Sequence, residues 1–273
     1  MKIKDHFLSG EIFEIVETDT KGVYKTSPIP ENIDKYYESK DYISHHQDSG
    51  GLKEKIYKFL QKFNLRFKKN ILAKELGVHK KVLDYGCGVG EFLKFIENQY
   101  DTFGFEPNES ARNFAEQKTK NTKFISDLNE IENESLDAIT LWHVFEHIEN
   151  QEEILNIFHN KLKNSGLLII AVPNHTSFDG RKYREFWAAY DVPRHILHFS
   201  KKGMEDFISK HPSWKLQKIK PMRLDSFYIS MLSEKYKKSH LFWLKGFFFG
   251  AISNFKAAKT GEFSSLTYII EKV

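Results

Sequence analysis

The chain has one cysteine, Cys87, in 273 residues, so no disulfide can form within it and a disulfide-stapled secreted scaffold is excluded. It has no large excess of charge of either sign. Forty-one Lys and Arg stand against 37 Asp and Glu, leaving +4, far from the basic surplus that makes nucleic acid the default partner. It lacks a long apolar run: the greasiest stretch, Leu241 to Ile252, is broken by Lys245 and Gly246 and falls short of the roughly 20 residues that cross a bilayer. Met1-Lys2-Ile3-Lys4-Asp5-His6 leads into mixed polar sequence rather than an apolar signal region. Internal repeats and low-complexity tracts are absent as well. The expectation is a cytoplasmic protein without a membrane span, with peripheral membrane contact left open. Hydrophobic residues make up 40% of the chain and aromatics 15%, enough for a substantial, ring-rich core or a cavity lined with rings.

Three parts follow one another. Residues 1–50 form a turn-rich lead with Pro28-Ile29-Pro30, Tyr36, Tyr37 and Tyr42, read as a small N-terminal extension ending in a lid segment. Residues 51–76 carry apolar side chains at Leu52, Ile56, Leu60, Phe63, Phe67 and Ile71, with Lys53, Lys55, Lys58, Lys62, Arg66, Lys68 and Lys69 between them. That spacing predicts an amphipathic helix with one oily and one basic, solvated side. Residues 77–273 alternate strand-like and helix-like segments. Strands are predicted at Lys81–Tyr85, Thr102–Glu106, Lys123–Ile125, Ala138–Trp142 and Leu167–Val172, with helices at Glu91–Asn98, Glu109–Lys118 and Glu152–Leu162 between them. Such alternation predicts an α/β fold with right-handed crossovers onto a parallel sheet. The tail adds Lys215–Ile219, an aromatic helical insertion at about 225–260, and a last strand at Leu266–Ile270 that would return antiparallel at the sheet edge.

Val82-Leu83-Asp84-Tyr85-Gly86-Cys87-Gly88-Val89-Gly90-Glu91 reads as a buried strand, a glycine turn and a helix start. Glycines at 86, 88 and 90 allow a sharp bend and a close approach of backbone to ligand. The dinucleotide fingerprint asks for glycine where Glu91 stands, and a carboxylate there would repel a pyrophosphate. Asp84, at the strand's carboxyl end, would attract an ammonium group instead. Glu106 ends the next strand, where an acid can accept both ribose hydroxyls. Asp127 follows the third strand, placed for an adenine amino group.

These residues resemble the class I S-adenosylmethionine-dependent methyltransferases, whose first motif is an acid, any residue, then Gly-x-Gly-x-Gly. The resemblance covers roughly residues 80–200. It implies a Rossmann-like, seven-stranded, mostly parallel sheet with an antiparallel last strand, and S-adenosyl-L-methionine as cofactor. It implies that Asp84, Gly86 and Gly88 hold the methionine portion, Glu106 the ribose, and Asp127 with Leu128 the adenine, with His143 beside the sulfonium and Cys87, Gly90 and Pro107 also among the cofactor-binding residues. Cys87, between two turn glycines, reads as a small residue near the cofactor rather than a nucleophile.

Within that group, Trp142-His143-Val144-Phe145-Glu146-His147 resembles the ubiquinone-pathway O-methyltransferase branch, in which an acid at the first polar position and the Glu-His pair can engage a divalent metal. His143 replaces that acid here, and no metal is expected. Asp191-Val192-Pro193-Arg194-His195 also resembles that branch. Either Asp191 and Arg194 orient His195 to take a proton from a nucleophile, or the three form a structural brace. His143 and His195 are therefore the candidate catalytic groups. Asp5 to Gly22 resembles the zinc-ribbon leader of some relatives, with Thr18 and Lys21 where a thiolate pair would stand, so it is expected to survive as a metal-free hairpin. The acceptor is expected to be a small or lipid-like molecule methylated at oxygen, the protein a monomer or homodimer, and the modest charge argues against RNA. A methyltransferase of a modified tRNA base or protein side chain, and a non-catalytic cofactor-binding scaffold, remain the alternatives.

Overall fold

The structure, a computed structural model, describes residues 1–37 and 52–273. The lid segment proper, with Tyr42, His45 and His46, lies outside the described residues.

Strands β4 (Lys81–Tyr85), β5 (Asp101–Phe105), β6 (Lys123–Ile125), β7 (Leu136–Trp142), β8 (Leu162–Pro173), β10 (Trp214–Pro221) and β11 (Ser265–Lys272) form one sheet in the order β10-β11-β8-β7-β4-β5-β6. The pairs β4–β5, β5–β6, β4–β7 and β7–β8 are parallel. β11 runs antiparallel to both β8 and β10. This is the expected doubly wound α/β sheet with a reversed last strand, and the tail strands pair as the predicted edge hairpin.

The strand pleat sends successive side chains to opposite faces, which is why the core is split in two. Leu83, Ile139, Leu168 and Ile170 face one way. That side is covered by α4 (Gln151–Lys161) and by α6 (Lys201–Ser209). Val82, Ala138, Ile169 and Ala171 face the other. Ile71 and Leu72 of the long helix α1 (Leu52–Glu75) cover them, with Phe92 and Ile96 of α2 (Glu91–Ile96). Both faces of the central strands are therefore dry, which explains their near-continuous aliphatic sequence. Helix α3 (Glu109–Lys118) connects β5 to β6, with Asn108 accepting from the Ala111 N–H at its start.

A second sheet of four short strands joins β1 (Lys2–Lys4), β2 (Ile12–Glu17) and β3 (Val23–Ser27) to β9 (Leu197–Phe199). In the leader, Thr18 donates from Oγ1 to the Val23 carbonyl at 2.9 Å, closing the β2–β3 turn. Arg194, 2% exposed, fastens this sheet to the main body. Its guanidinium donates to Asp191 (2.7 and 3.0 Å), to Asp5 (3.0 Å) and to the Tyr36 carbonyl (3.1 Å).

The aromatic insertion is a pair of helices, α7 (Asp225–Tyr236) and α8 (Phe242–Thr260). Asp179, on the short helix α5 (Phe178–Tyr183), is fully buried and accepts from Ser253 of α8, from Ser264 and from Trp187, which ties the pair to the sheet. Among the described residues, no helix is long and apolar enough to cross a membrane.

Candidate functional site

The strand order reverses at β4, which has β5 on one side and β7 on the other. The carboxyl ends of β4, β5 and β7 therefore open a crevice, where sheets of this kind bind ligands. The glycine loop lies across it. Gly86 adopts φ +75°, and a Cβ there would sit 2.6 Å from Val144 Cγ2. Gly90, also at φ +75°, backs onto Ala115 of α3, where a Cβ would come within 2.8 Å. Beside Gly88 the space is open, with nothing within 4 Å of a Cβ built there. The Gly88 N–H donates to Glu106 Oε2 (2.8 Å) and the Asn108 N–H to Glu106 Oε1 (3.0 Å), so one carboxylate links the loop to the start of α3.

The expected cofactor residues are thus only partly brought together. Asp84, Gly86, Cys87, Gly88, Gly90 and Glu106 meet at the crevice. Pro107 follows Glu106 on the exposed surface. Asp127 and Leu128 lie further out, after the edge strand β6, with Leu128 buried. The Asp127 side chain accepts from the Asn129 N–H at 2.7 Å, and Glu130 reciprocates as a capping box.

Asp84 is 3% exposed. Burial pushes its carboxyl up from 3.8 to about 6, while the Lys68 ammonium and a 2.6 Å hydrogen bond from Thr140 Oγ1 hold it down. Lys68, which the periodicity of α1 assigned to a solvated face, instead lies over the Trp142 ring (4.8 Å) and the Phe92 ring (5.6 Å). Burial lowers its ammonium, and Asp84 and Asp225 favour the charge. Burial likewise drives the Cys87 thiol far upward, which removes the thiolate a nucleophile would need.

After β7 the chain turns through His143 at φ +60°. Its Nε2 lies 2.9 Å from Asp225 Oδ2 and its Nδ1 3.4 Å from Glu146 Oε1. Burial opposes its charge, but the two carboxylates raise it to about 10, so the ring is an imidazolium at neutral pH. His195 is the reverse case. Burial and neighbouring His147 lower it to about 4, and it is neutral. Its Nδ1–H donates to the Ala189 carbonyl at 3.0 Å, leaving the Nε2 lone pair 3.9 Å from Glu146 Oε1.

Glu146 is completely buried. Burial works to raise its carboxyl, and His143, His195 and His147 hold it below the ordinary value. Among the described residues, neither of its oxygens has a hydrogen-bond partner. Glu146, His147 and His195 offer ligand atoms within 4.8 Å of one another. His147 Nδ1 is oriented by the Arg194 carbonyl at 2.9 Å. One carboxylate and two imidazoles are donors that suit a divalent transition ion. Arg194 and Asp191 pair with each other and with the N-terminal sheet rather than touching the His195 ring, so their geometry is that of a brace.

Reading the sequence misses Lys68, Thr140 and the pairing of Asp225 with His143. Only Thr140 carries a local signal, a hydroxyl inside an otherwise aliphatic strand.

The doubly wound sheet with its crevice at the switch point is the Rossmann-like fold of class I methyltransferases. A family model described as a methyltransferase domain matches residues 53–210, more than half of the chain, which belongs to that family. An uncharacterised protein of Methanocaldococcus jannaschii is 28% identical over 144 residues, 49% of this chain. The chain spans 56% of the length of that curated relative. The fold is similar to the cyclopropane synthase MmaA2 of Mycobacterium tuberculosis (TM-score 0.55, 13% identity, 87% of this chain and 95% of that one). It is also similar to the plantazolicin methyltransferase BpumL in complex with S-adenosylhomocysteine (TM-score 0.54, 15% identity, 88% and 93%).

Proposed function

We propose that the chain binds S-adenosyl-L-methionine at the crevice and transfers its methyl group to an oxygen of a small or lipid-like acceptor. When bound, the cofactor supplies an electrophilic methyl on a positively charged sulfur. The residues present fit it. Asp84 is a buried carboxylate whose charge Lys68 and Thr140 compensate only in part, Gly88 leaves open space above the loop, and Glu106 ends the neighbouring strand where a ribose would lie. Asp84, Gly86, Cys87, Gly88 and Gly90 are assigned to the methionine end, Glu106 and Pro107 to the ribose, and Asp127 and Leu128 to the adenine.

The observation that carries the choice of oxygen is the buried Glu146 carboxylate facing the His195 Nε2 lone pair at 3.9 Å. Two proton acceptors face each other with no donor between them; the His143 imidazolium balances the Glu146 charge from 3.4 Å, but neither Glu146 oxygen has a hydrogen-bond partner among the described residues, and a buried acceptor without one is costly. An acceptor hydroxyl would supply that donor, and His195 would take its proton. Val144, which touches the bend at Gly86, and His143, fixed by Asp225, place this pair beside the cofactor loop. Held as an imidazolium, His143 is not a base at neutral pH; its part is to keep Glu146 charged and in place. Alignment of nucleophile and methyl carbon supplies the rest of the acceleration.

The test is turnover with hydroxyl-bearing acceptors, alongside calorimetry with S-adenosylhomocysteine. His195→Asn is expected to lower kcat by about 10²–10⁴ while leaving S-adenosylhomocysteine affinity unchanged. Methylation of an amine panel that is indifferent to His195→Asn would overturn the choice of oxygen, and absence of S-adenosylhomocysteine binding would overturn the whole reading.

A further inference from the structure

Helix α8 is built inside out for a soluble protein. Its small residues face inward: Gly246, Gly250, Ser253 and Ala257 are buried. A Cβ on Gly246 would lie 2.4 Å from Met231 Cα, and one on Gly250 would lie 2.8 Å from Phe227 Cα, so the two helices pack backbone to backbone and antiparallel. The large residues point away. Leu244, Phe248 and Phe255 lie four and seven residues apart on the opposite face, 48%, 59% and 70% exposed, flanked by Trp243 at 57% and by Phe247, which stacks on Phe227 of α7 yet is 61% exposed. A contiguous exposed apolar stripe of this kind marks an interaction surface.

The charges along this segment are of one sign. Between Glu234 and Glu262 the chain carries Lys235, Lys237, Lys238, Lys245, Lys256 and Lys259 and no Asp or Glu, and all six lysines are exposed. Aromatic and aliphatic side chains on one helix face, flanked by lysine without a compensating acid, are complementary to an anionic lipid surface, where rings enter the interface and ammonium groups meet phosphate. A protein partner or a second copy would have to bring acidic groups to meet six cations. This chain offers none within the segment.

We propose that α8 docks the protein onto an anionic bilayer surface, lying in the interface rather than crossing it. The chain of contacts then leads inward. Asn254, next to Phe255, donates to the Arg223 carbonyl at 2.8 Å, two residues before Asp225, which holds His143. Docking along α8 sets the candidate site at the membrane boundary, and it stands independently of which atom the site methylates.

The experiment is co-sedimentation of the full chain with vesicles of phosphatidylcholine alone and of phosphatidylcholine with phosphatidylglycerol, read together with tryptophan emission. Of the four tryptophans only Trp243 is exposed, since Trp142, Trp187 and Trp214 are at most 9% accessible. A blue shift and quenching by brominated lipid therefore report insertion of α8. The anionic vesicles are expected to bind at least about tenfold more tightly than the neutral ones, with the difference shrinking at high salt. Phe247→Ser with Phe248→Ser is expected to lower binding by about tenfold or more, with the circular dichroism spectrum and S-adenosylhomocysteine affinity unchanged. Equal binding by that double variant, or no binding to either vesicle, overturns the proposal. So does a dimer by light scattering that the same variant dissociates, because the stripe would then be covered by a second copy.

Discussion

Asp84→Asn tests the electrostatics of the crevice most directly, because the substitution is isosteric and Asn keeps an oxygen to accept from Thr140. The folded carboxyl titrates near 6 against 3.8 for the free group. At about 1.4 kcal/mol for each pH unit, holding Asp84 ionised at pH 7 costs the folded state about 3 kcal/mol. The sign follows from the raised value. This group's contribution to stability is most favourable below pH 3.8, declines as pH rises through about 6, and is fully unfavourable above it. Asp84→Asn should therefore stabilise the ligand-free protein at pH 7 by up to about 3 kcal/mol, a Tm increase of several degrees at this chain length. The same change should weaken S-adenosylhomocysteine binding, since the amino group of that ligand loses its counter-charge. In the wild type, affinity should fall as pH drops through about 6, where Asp84 takes up a proton. Urea unfolding at pH 7 and calorimetry over pH 5–8 measure both halves. A variant that is less stable than wild type and binds S-adenosylhomocysteine with undiminished affinity would refute the account.

Two further outcomes are expected. The His143 ring, raised to about 10 by Asp225 and Glu146, should be cationic by nitrogen NMR at pH 8 and become neutral there in Asp225→Asn. The stabilisation it lends is fully present below pH 6.5 and lost as pH rises through about 10, and a ring titrating near 6.5 in both proteins would sink this assignment. Dialysis against EDTA should leave turnover unchanged if His195 and Glu146 accept the proton unaided. Loss of turnover that zinc or manganese restores would instead place an ion among Glu146, His147 and His195.

The glycine loop and the sheet were legible because their information is local. Asp84 and the three glycines fall within seven residues, and a strand buried on both faces shows as an aliphatic run wherever it occurs. Lys68 was not legible. Helical spacing places it among seven other basic residues of α1, and only the rotation of that helix against β7 puts its ammonium over Trp142 and toward Asp84. The Glu146 site was legible by half: Glu146 and His147 stand in one motif, but nothing in either segment says that the His195 ring faces that carboxylate, or that Asp225 of the aromatic insertion reaches back to His143.

By itself the sequence determined the doubly wound fold, the reversed final strand and the position of the glycine loop, because strand periodicity, helix spacing and turn glycines act between near neighbours. Tertiary structure alone decided which histidine is charged and which is neutral, and which face of α8 meets water. Protonation depends on the carboxylates that packing brings within a few ångströms, and the glycines of α8 fit α7 more closely than its rings can.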